Sequence, residues 1–189
     1  MHDQETLVNE LRTLLADATT LWYRAHSAHW NVVGPLFQQY HELFGEIYED
    51  VWSSLDPIAE NVRKLGGFPP SGLEELIKLR EVRDGSDVTT AEGLTREVLD
   101  ANVEVLHCLN EAFACASECN AQGVANFIAD RIDHHEKWSW QLSSSLGLSS
   151  PPLPESTKET PEQDANEKPK EISVKTERRM RGAVTPGVR

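Results

Sequence analysis

Cysteine is scarce in this chain: three residues, Cys108, Cys115 and Cys119, out of 189. Three thiols with no C-x-x-C pair exclude a disulfide-framed scaffold and read as free thiols in a reducing compartment. No apolar run approaches the ~18 residues of a membrane span. The opening MHDQE is polar and acidic, so no secretory signal is expected. Positive charge is short as well. Eighteen Lys and Arg face 31 Asp and Glu, a net charge of -13. That balance argues against a compact nucleic-acid binder with a basic face and for a body that attracts cations. Convincing strand alternation and internal repeats are absent too. These absences point to a soluble, cytoplasmic, all-α protein.

What is present is unevenly spread. Residues 1–148 hold 10 Lys/Arg against 24 Asp/Glu, and residues 149–189 hold 8 against 7. Six of the ten prolines fall in that last stretch. SSPPLPESTKETPEQDANEKPKE carries no apolar periodicity and reads as a disordered arm. The expected organisation is one folded domain over 1–148 and a disordered, Pro-rich tail over 149–189 that ends in a basic segment.

Helical periodicity fills the first part. Leu11, Leu15, Ala18, Trp22 and Ala25 mark one face of a long helix that stops near Trp30, where NVVGP breaks it. Tyr40, Phe44, Ile47, Val51, Leu55, Ile58 and Val62 mark a second, ended by Gly66-Gly67. Residues 68–88 are punctuated by Pro69-Pro70 and Gly85, with one short amphipathic turn at Leu73–Leu79. Thr89 with Glu92 reads as a capping box opening a third long helix. A fourth runs from beyond the break at Asn120–Gly123 to about Leu146. Four long helices with a long connection between the second and third predict a ferritin-like four-helix bundle with a crossover.

On chemistry alone the residues to single out are His29, His41, Asp56 and Glu60. Imidazole with carboxylate suits iron or zinc. His29 continues the apolar row of the first helix, so it faces inward or into an interface, as a ligand or as a packed histidine. His41, Asp56 and Glu60 share one side of the second helix, but Asp56 lies ~22 Å and Glu60 ~28 Å from His41 along its axis. One subunit cannot bring them to one ion. Two antiparallel copies of that helix, related by a two-fold axis, can. Asp56 also precedes Pro57, so it reads equally as the cap of a helix restart, and Glu60 as a solvated side chain. Glu104 and His107 form the chain's one Glu-x-x-His pair, off the apolar stripe of the third helix.

The run HWNVVGP from His29 to Pro35, then Phe37, His41-Glu42, Asp56 and Ala59-Glu60, resembles the Dps family, the mini-ferritins named DNA-binding proteins from starved cells. Glu136-Lys137-Trp138 with Trp140 resembles the same family's final helix. The resemblance covers about residues 5–147. It implies a homododecameric shell with intersubunit ferroxidase sites, which oxidise Fe(II), preferentially with hydrogen peroxide, store the iron and limit oxidative damage to DNA. By position, His29 and His41 match the family's histidine ligands, and Asp56 and Glu60 the carboxylates from the partner chain. Trp30 and Trp52 fall where family members carry oxidation-prone aromatics, with packing as their default role, and Asp130 and Asp133 read equally as entry-pore candidates or as solvated side chains. One departure stands out: the family's Asp one turn after the second His is here Gly45, with three candidate substitutes, Glu46 (rotated by ~100°), the longer-armed Glu49 two turns from His41, or water. The alternative is therefore a shell with weakened or lost ferroxidase activity that acts as a DNA- or protein-binding scaffold. The basic cluster Lys175, Arg178, Arg179 and Arg181 is the candidate DNA contact, or a docking segment for another protein.

Overall fold

The computed structural model describes residues 3–152. Most of the expected tail, with Lys175, Arg178, Arg179 and Arg181, lies outside the described residues. Five helices are present: α1 (Gln4–Asn31), α2 (Phe37–Lys64), the short α3 (Leu73–Leu79), α4 (Ala91–Glu118) and α5 (Gln122–Ser145). Among the described residues there is no strand, and no helix is long and apolar enough to cross a membrane.

The helix ends follow from their sequence. Asp3 caps α1, its carboxylate accepting from the Thr6 N–H at 2.9 Å. At the start of α4 the cap is Thr90, whose hydroxyl accepts from the Gly93 N–H at 3.1 Å. The expected capping box is thereby corrected: the cap sits one residue past Thr89, and Glu92 falls one position short of a reciprocal partner. Three helices end in the same closure. After α2, Gly67 N–H donates to Val62 O and Gly66 N–H to Arg63 O, both at 3.0 Å. Gly66 supports this with φ +82°. Leu148 and Gly147 repeat the pattern after α5, and Ala121 and Asn120 after α4, with Asn120 in the left-handed region at φ 55°.

A second correction concerns Pro57. It does not restart a helix: α2 runs unbroken across it, so Asp56 is an exposed mid-helix carboxylate and caps nothing. The axial separations derived from an uninterrupted helix therefore hold.

The short connection over 32–36 makes α1 and α2 a hairpin. α4 pairs with α5, α1 packs on α4, and α3 lies against α1 within the crossover. Leu11, Leu14 and Leu21 of α1 meet Phe44, Ile47 and Ile58 of α2, Leu99 and Leu109 of α4, and Ile128 and Leu142 of α5, all inaccessible to water. Each such side chain contributes about 1.5–3 kcal/mol of burial. Trp22, expected on the buried face, is only half-buried.

Two polar devices fix what packing alone leaves free. Asp17, fully buried on α1, accepts from the backbone N–H groups of Glu81 (2.7 Å) and Val82 (2.8 Å), which pins the crossover. Asp50 of α2 accepts both guanidinium arms of Arg131 (3.0 and 2.7 Å), Trp138 Nε1–H (2.9 Å) and His134 Nδ1 (3.0 Å) from α5. Burial alone would raise the Asp50 carboxyl, but the hydrogen bonds and the charges of Arg131 and His134 hold it down at about 2. Beside it, burial holds the His135 imidazole neutral, its pKa down at about 3. Its Nδ1 faces Asn102 Oδ1 at 2.7 Å.

Candidate metal centre

The end of α1 and the start of α2 carry the two histidines, and the hairpin between them brings the rings together. His29 and His41 stack with centroids 3.6 Å apart and planes 22° apart. Each ring's Nδ1 meets the other residue's backbone carbonyl: His29 Nδ1 to His41 O at 2.7 Å, His41 Nδ1 to His29 O at 2.9 Å. A carbonyl only accepts, so both Nδ1 atoms carry the proton. The lone pair of each imidazole is thus on Nε2, which no hydrogen bond occupies. His29 O belongs to the last turn of α1, where carbonyls lack a helical partner. His41 therefore closes the end of α1 while His29 grips the start of α2.

Gly45 lies directly under this clasp. A Cβ built at position 45 would meet His29 Nδ1 at 3.4 Å and Cε1 at 3.5 Å. The His29 ring lies on the α2 backbone at the position where the expected carboxylate is missing. Glu49, the proposed substitute, is exposed, and its carboxylate accepts from the Tyr48 hydroxyl at 3.4 Å. No hydrogen bond joins it to the imidazoles.

A column of rings leads away from the clasp. Tyr48 stands edge-on to His29 at 5.2 Å and stacks on His26 at 4.1 Å. His26 meets Trp30 at 4.0 Å on its other side, and its Nδ1 is buried without a partner. Trp22 and Trp52 contact each other at 5.1 Å. The tryptophan rims are open: Trp30 is 57% and Trp52 59% exposed. Neither His26 nor Tyr48 stood out in the sequence. Tyr48 lies seven residues after His41, two turns along the same side of the helix, which is the signal that could have found it.

Asp56 and Glu60 project from the far half of α2 into solvent. Among the described residues of one chain, no three His, Cys, Asp or Glu side chains converge to hold an ion. The structure thus brings His29 and His41 together and leaves Asp56 and Glu60 apart from them. Glu104 and His107 are half-buried, and His107 Nε2 lies 3.6 Å from Glu111. Asp130 and Asp133 are exposed on α5.

The ferritin-like domain family matches residues 8–149. An uncharacterized low temperature-induced protein of Nostoc is 32% identical over 143 residues, covering 75% of this chain and 80% of its own. A DNA protection during starvation protein of Bacillus anthracis is 26% identical, covering 74% and 96%. The chain belongs to the Dps family of ferritin-like proteins. Solved Dps structures agree. That of Staphylococcus aureus superposes with a TM-score of 0.75 at 25% identity, covering 78% of this chain and 99% of that one. The Dps protein of Vibrio cholerae, described as a member of a broad superfamily of ferritin-like diiron-carboxylate proteins, gives 0.72 at 26% identity, covering 76% and 90%. Within the family, α1, α2, α4 and α5 are the bundle helices and α3 lies in the crossover.

Proposed function

We propose that this Dps chain is the subunit of an iron-oxidising shell. Fe(II), the substrate, binds between His29 and His41 of one subunit and Asp56 and Glu60 of the partner subunit across a two-fold axis. The observation that carries this reading is the reciprocal clasp. It protonates both histidines on Nδ1, leaves both Nε2 lone pairs for a metal, and holds the two rings 3.6 Å apart. Two neutral imidazoles with two carboxylates form a mixed N/O set that suits Fe(II) and leaves positions for an oxidant.

The unpartnered surface supports a two-fold assembly. Leu73 and Ile77 of α3 are 76% and 59% exposed and share one side of the molecule with Tyr23 and Trp22 along a groove of about 820 Å³. A monomer gains nothing from such a face in water, and a second copy covers it. Light scattering should return a homododecamer. A monomer at micromolar concentration rules the intersubunit site out.

The acidic body draws Fe(II) in, most strongly at low salt, and Asp130 and Asp133 serve as entry-pore residues. Hydrogen peroxide is the oxidant, the oxidised iron is stored inside, and DNA is spared peroxide damage. The direct test is anaerobic Fe(II) titration followed by peroxide, monitored by ferric absorbance. His29→Ala and His41→Ala should each abolish protein-dependent oxidation. Oxidation that survives both substitutions places the chemistry elsewhere. The second reading, a shell with weakened chemistry acting as a scaffold, rests on Gly45. It predicts an intact dodecamer that retains no iron mineral on gel filtration. In either case DNA contact falls to the tail residues Lys175, Arg178, Arg179 and Arg181.

A further inference from the structure

We infer that Cys115 and Cys119 form a binding site for a soft monovalent cation, Cu(I), held between their two sulfurs at the end of α4. The two residues stand one turn apart, and Cys119 is the C-cap of the helix. Cys119 N–H donates to Cys115 O at 3.0 Å, so the turn between them is closed. Their thiols face each other, Cys115 S–H donating to the Cys119 sulfur. Cys115 is 1% exposed, while Cys119 is half-buried. The pair is thus a dithiol with a sealed inner sulfur and an accessible outer one.

Geometry decides what this dithiol can do. Cβ atoms one helical turn apart are about 5–6 Å from each other, whereas a disulfide needs roughly 3.5–4.5 Å. The closed turn therefore resists an S–S bond. A metal–thiolate bond is about 2.3 Å long, so an ion between two sulfurs spans roughly 4.6 Å, which that separation supplies. Burial and the neighbouring Cys119 also push the Cys115 thiol up to about 12. A thiol so held is a poor nucleophile and yields its proton to a metal rather than to water.

The surroundings choose the ion. Cys108, the third thiol, lies two turns back, ~10.5 Å along the axis, and its S–H donates to Glu10 O at 4.0 Å. Among the described residues no three His, Cys, Asp or Glu side chains converge on one point. Zinc takes four ligands in structural sites, and two sulfurs do not serve it. Cu(I) prefers thiolate and is satisfied by two ligands in line. The charges of Glu10 and Glu118 reach the Cys115 thiol and favour a cation there. On binding, both S–H bonds break, two protons pass to solvent, two S–Cu bonds form, and copper stays Cu(I). The function that follows is sequestration: with sulfur in both positions, the ion keeps no open position for an oxidant. Along α1, Glu10 is ~28 Å from His29, so this site is separate from the proposed iron centre.

The test uses the full-length protein, reduced and anaerobic, titrated with Cu(I) bicinchoninate. The expected result is one Cu(I) per chain withdrawn from the chelator, with X-ray absorption showing two sulfur neighbours and no nitrogen or oxygen. Cys119→Ser should lose that equivalent with helix content unchanged, since the residue is a half-buried cap. Cys115→Ala, which keeps an apolar group in the buried position, should lose it as well. Cys108→Ala and His29→Ala should each retain it. Copper left on the chelator by the unmodified protein overturns the inference. So does retention by Cys119→Ser or Cys115→Ala, loss in His29→Ala, or a spectrum with nitrogen ligands. A Cys115–Cys119 disulfide, found by peptide mapping of the native protein after mild peroxide treatment, overturns the geometry on which it stands. The iron reading is judged apart, by Fe(II) oxidation, which Cys119→Ser should leave unchanged.

Discussion

Replacing Gly45 by Asp tests the centre most directly, because the structure says what the new side chain meets. The added Cβ lies 3.4 Å from His29 Nδ1 and 3.5 Å from Cε1, which is ordinary contact and leaves the clasp in place. Position 45 is mid-helix, so the backbone gains a few tenths of a kcal/mol when glycine is removed. Fold and assembly should therefore survive. The new carboxylate stands one turn from His41, with Cβ atoms about 5–6 Å apart, within reach of an ion held by the two Nε2 atoms. A carboxylate ~4 Å from a divalent cation gains about 2 kcal/mol even at the dielectric of water, or roughly 30-fold in affinity.

Anaerobic Fe(II) titration of the intact shell measures this. Gly45→Ala is the necessary control, since it carries the same Cβ and the same backbone change without the charge. The expected order is Gly45→Asp tightest, with Gly45→Ala equal to the unmodified protein. His41→Ala in the Gly45→Asp background should erase the gain, because the two side chains act on one ion. Equal affinities for Gly45→Asp and Gly45→Ala would refute the placement of the metal beside the histidine clasp.

Three further outcomes follow from the same contacts. Asp50→Ala removes the acceptor for Arg131, Trp138 and His134 and leaves a buried guanidinium uncompensated, so chemical denaturation should show a loss of about 3–5 kcal/mol. The pH profile has two opposed parts. His135 and Asp50 have depressed folded pKa values, about 3 and about 2, so their contributions are complete above the ordinary values of 6.5 and 3.8 and are lost as pH falls through that range. Asp17 is raised by burial, and by the charges of Glu81 and Glu104, to about 6 despite its two backbone donors. It therefore stabilises most below pH 3.8 and loses roughly 3 kcal/mol of that contribution as pH rises to 6 and beyond. Asp17→Asn keeps an acceptor for the Glu81 and Val82 N–H groups and should flatten unfolding midpoints between pH 4 and 6; an unchanged slope would remove Asp17 from the account. Truncation after Leu148 should leave the shell intact and abolish any DNA shift in a gel, and that shift should weaken steeply with salt in the full chain; undiminished binding by the truncated protein would exclude the basic cluster.

The residues show why some of this was legible in the sequence and some was not. The helices were, because Phe44, Ile47, Val51, Ile58 and Val62 repeat at helical spacing and every one is buried. The two histidines were, because twelve residues containing a Gly-Pro break allow a hairpin that returns one ring to the other. The contact between Asp50 and Arg131 was not, since partners 81 positions apart leave no local periodicity. Thr90 displaced Thr89 as the cap because adjacent threonines offer the same hydroxyl, and only the helix's first turn chooses between them.

Pro57 and Gly45 looked like defects in α2, and the structure gives each a different meaning. Pro57 lacks an N–H, yet the helix continues, and Asn61 Nδ2–H donates to the Pro57 carbonyl at 3.0 Å. Continuity there keeps Asp56 and Glu60 in fixed register with His41, which a two-fold partner requires if both ends of the helix are to meet. Arg131 and Trp138 hold Asp50 midway between those ends, so α2 is anchored to α5 at the centre of the span whose tips would carry ligands. Gly45 lies beneath the His29 ring, where a Cβ would make only ordinary contact, so what the position lacks is a carboxylate and not room. In the proposed site, one subunit thus supplies imidazole and aromatic rings and leaves the carboxylates, Asp56 and Glu60, to its partner.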